Sequence, residues 1–177
     1  MSASLDIARL DGAQAQTLLP DLIRLLCATV DAGASIGFWP PLEEAEAARY
    51  WDGMLAEVAT GSRVLLVARQ GQAVVGSIQL ALARWPNARH RAEVQKLMVT
   101  PAARRQGIGQ TLLGAIEDEA RLAARTLLVL DTRLGDPAET LYAQHGYTRL
   151  GEIPNYVIEV DGSQNATVVF YKQLSLS

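Results

Sequence analysis

Val99-Thr100-Pro101-Ala102-Ala103-Arg104-Arg105-Gln106-Gly107-Ile108-Gly109-Gln110 joins a β-rich segment to the start of an amphipathic helix. The first turn of a helix has N–H groups without an intrahelical partner and carries a partial positive charge. Gly107 and Gly109 leave the backbone bare there, so an anion can approach those N–H groups closely. Arg104 and Arg105 add positive charge, and the stretch predicts a phosphate or pyrophosphate site. A Walker loop ends in Gly-Lys-Ser/Thr, which is absent. A dinucleotide fingerprint needs a third glycine where Leu112 stands. What remains is Arg-x-x-Gly-x-Gly, which by itself also fits a helix start that simply holds glycines.

Outward from this stretch, Arg91–Val99 reads as a strand before it, and Gly107–Ala124 as a helix after it. Ile108, Leu112, Leu113, Ile116 and Ala120 share one face of that helix. Thr126–Asp131 follows as a short apolar strand of the kind buried on both faces. A strand–helix–strand unit predicts two parallel strands. Upstream, Arg63–Arg69 and Ala73–Leu82 form a hairpin about Gln70-Gly71-Gln72. Ala13–Val30 and Glu43–Val58 have helical periodicity, with Pro20 a point where the first can split. Gly33–Pro41 is a loop by its Gly and Pro content, and Leu5–Leu10 alternates as a strand. Downstream come a helix over Pro137–His145 and strands over Thr148–Val157 and Thr167–Lys172, joined across Asp161-Gly162. The order predicts an α/β chain with one mixed sheet and helices on both faces.

The 177 residues point to one domain, 1–177, large enough to bury a core without staples. A net charge of -3 gives no electrostatic reason to expect a nucleic-acid or anionic membrane partner. Cys27 stands alone, so no intrachain disulfide is expected and a cytoplasmic setting follows. The start, Met1–Asp6, lacks the basic and apolar run of a signal peptide, and no stretch is long enough to span a bilayer. No Ser-His-Asp or Cys-His set emerges, and no metal is expected.

Glu93-x-x-x-Leu97-x-Val99-x-Pro101 precedes the Arg-x-x-Gly-x-Gly loop, and Ala138-x-x-x-Tyr142-x-x-x-Gly146-Tyr147 follows it. In this order and spacing the three segments resemble the GNAT acetyltransferase superfamily over roughly residues 60–175. Gly33–Phe38, Arg91–Val99, Leu130-Asp131-Thr132 and Tyr171-Lys172 extend the likeness toward the tabtoxin-resistance acetyltransferases, which acetylate a toxin with a β-lactam ring. The resemblance implies a GNAT fold with about seven strands in its sheet. It implies acetyl-CoA as cofactor and a direct acetyl transfer to the amine or hydroxyl of a small-molecule acceptor. An amino-acid-like or β-lactam toxin is the acceptor class it suggests. A protein or peptide N-acetyltransferase, or an acyl-CoA sensor without turnover, also stays open, and a homodimer is common in the family.

The resemblance also implies roles. Leu97, Met98 and Val99, then Arg104, Arg105, Gln106, Gly107, Ile108, Gly109 and Gln110, then Ala138 and Tyr142, would hold the cofactor. Met98 and Val99 would offer the N–H that polarises the thioester carbonyl. Gly135 stands where many members have an asparagine contacting the cofactor, so that contact is not expected. Glu93 would be the base, with Asp131 its partner or rival, since two carboxylates at one cleft raise one pKa. Tyr142 matches the tyrosine that protonates or orients the leaving thiolate. Phe38, Trp39, Trp85 and Tyr156, with polar Ser35 and Asn87, are acceptor-pocket candidates because they mix aromatic and polar groups on loops.

Overall fold

The hairpin expected about Gly71 is the unit from which the sheet extends. β2 (Arg63–Gln70) and β3 (Ala73–Leu82) pair antiparallel, and β1 (Leu5–Arg9) adds to the far edge of β2. β4 (Arg91–Val99) pairs antiparallel with β3, and β5 (Leu127–Arg133) pairs parallel with β4. β6 (Thr148–Ile158) and β7 (Gln164–Gln173) complete the sheet in the order β1-β2-β3-β4-β5-β7-β6. The computed structural model describes residues 4–175, so the reading of Met1–Ala3 lies outside the described residues. No helix among the described residues is long and apolar enough to cross a membrane.

The helix expected over Ala13–Val30 is two: α1 (Gly12–Thr17) and α2 (Leu19–Asp31). Leu18 ends one and begins the other, and Pro20 lies in the first turn of α2, where its missing N–H has no partner to lose. Asp11 and Gln14 close a capping box at the start of α1. α3 (Glu44–Ala59) packs on α2 through Trp51, which is fully buried and donates Nε1–H to the Leu22 carbonyl at 3.0 Å. α1–α3 cover one face of the sheet, where Leu65, Val67 and Met98 join their core. On the opposite face, α4 (Ile108–Leu122) and α5 (Ala138–Gln144) cover Ala92, Val94, Leu128, Leu130 and Phe170.

β5 departs from its expected burial on both faces. Leu128 and Leu130 are buried, whereas Leu127 and Val129 are half-buried and Asp131 is exposed. The physical reason is coverage: α2 and α3 pack over β2, β3 and β4 and stop short of β5, so that face of β5 opens outward.

β4 carries the decisive irregularity. Gln79 faces Gln95, but Ser77 faces Met98, so two steps on β3 meet three on β4. The extra residue is a β-bulge at Lys96, whose φ is +50°. Ahead of it Ala92 and Val94 enter the α4-side core; beyond it Met98 enters the opposite core, and Leu97 and Val99 pack on the α4 side. The bulge therefore swaps the two faces of the strand. It also bends β4 away from β5. Their ladder ends at Glu93↔Val129, although β4 runs on to Val99 and β5 to Arg133. Gly76 lets the bent strand and α4 come close, since a Cβ there would lie 2.8 Å from the Met98 carbonyl oxygen.

Candidate active site

The divergence of β4 and β5 leaves a slot between parallel strands, and a cleft of about 520 Å³ opens beside it. Glu93 and Asp131 both line this cleft, with Trp85 from the loop after β3 and Tyr156 from β6. Glu93 and Asp131 emerge on the same face, opposite to buried Ala92, Val94, Leu128 and Leu130. Each carboxylate has one oxygen engaged. Gln95 Nε2 donates to Glu93 Oε1 at 2.9 Å, and the Thr167 hydroxyl donates to Asp131 Oδ2 at 2.7 Å.

Behind Glu93 lies a buried polar network. Arg63, only 7% exposed, donates to Gln95 Oε1 at 2.8 Å and to Gln79 Oε1 at 2.9 Å, and pairs with Glu57 at 2.9 Å. Gln79 in turn bonds the Tyr50 hydroxyl, whose pKa burial pushes up to about 12. Thus Arg63 orients Gln95, and Gln95 orients Glu93. The sequence signal for this network is Gln79, a polar side chain inside the apolar run Val74–Leu82.

On the slot side, Thr100 N–H donates to the Val75 carbonyl at 2.8 Å, so alternation turns the Val99 peptide groups away from β3. The Val99 carbonyl has Arg104 Nε 3.4 Å away rather than a strand partner. Of the two N–H groups expected to meet the thioester, Val99's thus faces the slot. Met98's shares the β3-facing side with Thr100, and its side chain is buried.

The Arg104–Gly109 turn forms as expected at a helix start. Arg105 (φ +61°) and Gly107 (φ +78°) both take left-handed conformations, and Gly107 caps α4. Thr111 N–H reaches the Gly107 carbonyl at 3.0 Å, which leaves the N–H groups of Gly107, Ile108, Gly109 and Gln110 ahead of the helical ladder. Gln70 Nε2 bonds Gln106 Oε1 at 3.0 Å and anchors the turn to β2. Arg104 and Arg105 are exposed and available to a phosphate. These bare, converging N–H groups fit the pyrophosphate of a coenzyme A.

Ala138 and Tyr142 stand on α5. Tyr142 packs on Tyr147 and Phe170 at 5.9 and 5.8 Å between ring centroids. Burial, reinforced by negative charge on Asp136 and Asp131, pushes the Tyr142 phenol well above its ordinary pKa, so it keeps its proton.

The acceptor candidates divide. Trp85, Tyr156, Glu93 and Asp131 share the main cleft. Ser35 and Phe38 line a second cavity of about 330 Å³ with Arg133 and Glu159. Trp39 is 58% exposed and donates Nε1–H to the Ile158 carbonyl at 2.8 Å. Asn87 lies in a short 3₁₀ turn (Pro86–Ala88) and lines neither cavity. Arg84 and Arg91 line the main cleft, and Lys96 stands at the β4 bulge; none of them was among the expected site residues.

A family model described as an acetyltransferase (GNAT) domain matches residues 61–149. The chain belongs to the GNAT acetyltransferase family. An uncharacterized N-acetyltransferase from the hisH-hisA intergenic region of Azospirillum brasilense is 35% identical over 117 residues, covering 65% of this chain and 68% of that one. Among solved structures, an N-acetyltransferase from Staphylococcus aureus Mu50 superposes with a TM-score of 0.81 at 15% identity, over 98% of this chain and 100% of that one. The yncA protein of Salmonella typhimurium, solved with its cofactor acetyl-CoA, superposes with a TM-score of 0.76 at 19% identity, over 98% of this chain and 95% of that one. The protein is a GNAT-type acetyltransferase, and acetyl-CoA is the cofactor of its family.

Proposed function

We propose that this chain, one GNAT domain from end to end, transfers acetyl directly to an amine or hydroxyl of a small polar acceptor held between Trp85 and Tyr156. One observation carries the reading: β4 and β5 separate after Glu93↔Val129, with the bare helix-start turn Arg104–Gly109 at one end of the slot and two carboxylates at the other. Acetyl-CoA, when bound, supplies the activated acetyl thioester. The Gly107–Gln110 N–H groups with Arg104 and Arg105 hold its pyrophosphate, and Leu97, Val99 and Ala138 flank the rest. Val99 N–H, fixed on a bent strand edge, meets negative charge on the carbonyl oxygen. Glu93 takes the acceptor's proton through its free oxygen, while Asp131 orients the acceptor or shares that task. Tyr142 retains a proton for the departing sulfur. An amino-acid-like acceptor, such as a β-lactam toxin of the tabtoxin type, suits a cleft that presents Glu93 and Asp131 near Arg84 and Arg91.

Release of free CoA thiol, followed with a thiol-trapping dye over amino acids, amino sugars, polyamines, peptides and the tabtoxin lactam, tests the reading. Turnover with a small polar compound is the expected result. Preference for peptides would move the acceptor class. Acetyl-CoA binding without turnover on every compound would make the chain a sensor.

A further inference from the structure

Of the 16 lysines and arginines, only Lys96 and Lys172 are lysines. Lys172 is held by Glu117 on α4 at 2.7 Å. Lys96 occupies the β4 bulge, where a non-glycine residue at φ +50° is costly and needs a compensating role. Its Nζ donates to the Ile36 carbonyl of the Gly33–Pro41 loop. The same ammonium lies 5.6 Å from the Phe38 ring centre and 5.7 Å from that of Tyr50, two rings in edge contact at 5.4 Å. Gly37 (φ +93°) makes the approach possible, because a Cβ there would already stand 3.3 Å from Nζ. The compact lysine head fits this box in a way that a planar guanidinium does not.

We propose that Lys96, in its charged form, is the positioning residue that fixes the Gly33–Pro41 loop on the bulged strand, so that one ammonium sets how that loop stands against the acceptor site and slot. The proposal rests on the reading of the main cleft as the acceptor site, and the loop bears on that cleft through the second cavity, where Ser35 and Phe38 meet Arg133, two residues along β5 from Asp131. The loop's other anchors lead elsewhere: Gly33 and Ala34 N–H to the Val30 and Thr29 carbonyls of α2, Trp39 to Ile158 on β6 at 2.8 Å, and Arg133 on β5, the opposite wall of the slot, to Gly33 at 3.4 Å. Lys96 alone among these anchors ties the loop to the strand that meets the donor.

The charged groups facing Lys96 are Asp131 on β5, Arg63 on β2 and Glu93 on its own strand, with Tyr50 on α3. Burial lowers its pKa from the ordinary 10.5; Asp131 and Glu93 oppose that fall and Arg63 adds to it. Two opposite effects of pH follow. As pH climbs from the lowered value toward 10.5, the folded chain loses a proton that the unfolded chain keeps. Lys96 therefore makes folding more stable over that interval while the loop loses its tie. A merely structural lysine would not weaken acceptor binding as stability rises.

The test uses the full chain with Lys96→Met and Lys96→Arg. Amide hydrogen exchange of residues 33–41 should quicken by about tenfold in Lys96→Met and by less in Lys96→Arg, which keeps the charge. With an acceptor from the panel, Lys96→Met should raise acceptor KM about tenfold, leave kcat within about threefold and leave the acetyl-CoA Kd within about twofold. Wild-type acceptor KM should rise with pH across the interval where 13Cε-lysine NMR shows Lys96 deprotonating, and Lys96→Met should lose that rise. Unchanged loop exchange in a folded Lys96→Met protein, or a wild-type acceptor KM flat across the Lys96 titration, overturns the proposal. If no acceptor is turned over, the acetyl-transfer reading falls, and loop exchange still decides whether Lys96 holds the loop.

Discussion

Glu93 has one oxygen fixed by Gln95 and one free, the arrangement required of a carboxylate that must accept a proton in one direction. Replacing it by Gln keeps size and removes basicity. Steady-state kinetics on Glu93→Gln should show kcat lower by about 10²-fold with the acetyl-CoA Kd unchanged. Full activity would hand the base role to Asp131. At this scale the sequence was readable where chemistry sits at strand ends and loop tips: Glu93, Asp131, Trp85 and Tyr156 do share one cleft. It was unreadable where the backbone breaks its own pattern. A bulge built on glycine announces itself; one built on Lys96 does not, so the residues beyond it were assigned without knowledge of their face.

Helix α4 meets β7 through a buried ion pair. Glu117, 5% exposed, accepts from Lys172 Nζ at 2.9 and 2.7 Å, and Lys172 also donates to the His145 carbonyl at 2.7 Å. Removing one member strands the other. Glu117→Ala should lower unfolding free energy in urea by about 3 kcal/mol, and adding Lys172→Met should recover much of that loss. Equal stability of the single variant and wild type would show that the pair contributes nothing. Element order was legible from periodicity and turn residues, including the two parallel strands about α4. Element burial was not. Whether β5 is covered on one face or two depends on where α2 and α3 end in space, and no local pattern encodes that.

For the molecule as a whole, the ligand becomes part of the fold. Held as proposed, the donor would bridge α4, the bent β4 and α5, and it should stabilise all of them together. At an acetyl-CoA concentration a hundred times Kd, stability should rise by about 2.7 kcal/mol, or roughly 5–11 °C in Tm for a chain of this size. Differential scanning fluorimetry reads this directly. Gly107→Glu, which sets a negative side chain at the left-handed cap, should abolish the shift, while the strain of a side chain at that φ lowers the unliganded Tm by only about 2–4 °C per kcal/mol. An equal shift in that variant would remove the turn from the donor site. Here too the fold was the legible part. One mixed seven-stranded sheet with helices on both faces follows from the order of elements, whereas the tie from the Gly33–Pro41 loop to β4 through Lys96 Nζ has no pattern in the sequence.

The bulge has a further consequence for anyone comparing this chain with others. It is in effect one extra residue within a strand. A gapless alignment with an unbulged strand can be in phase over Ala92–Gln95 or over Leu97–Val99, never over both. Against an unbulged strand, counting back from Gly107 to locate a base, or forward from Glu93 to locate the thioester contact, would err by one residue and land on the opposite side of the sheet. A strand without this bulge is best matched on either flank of Lys96 separately.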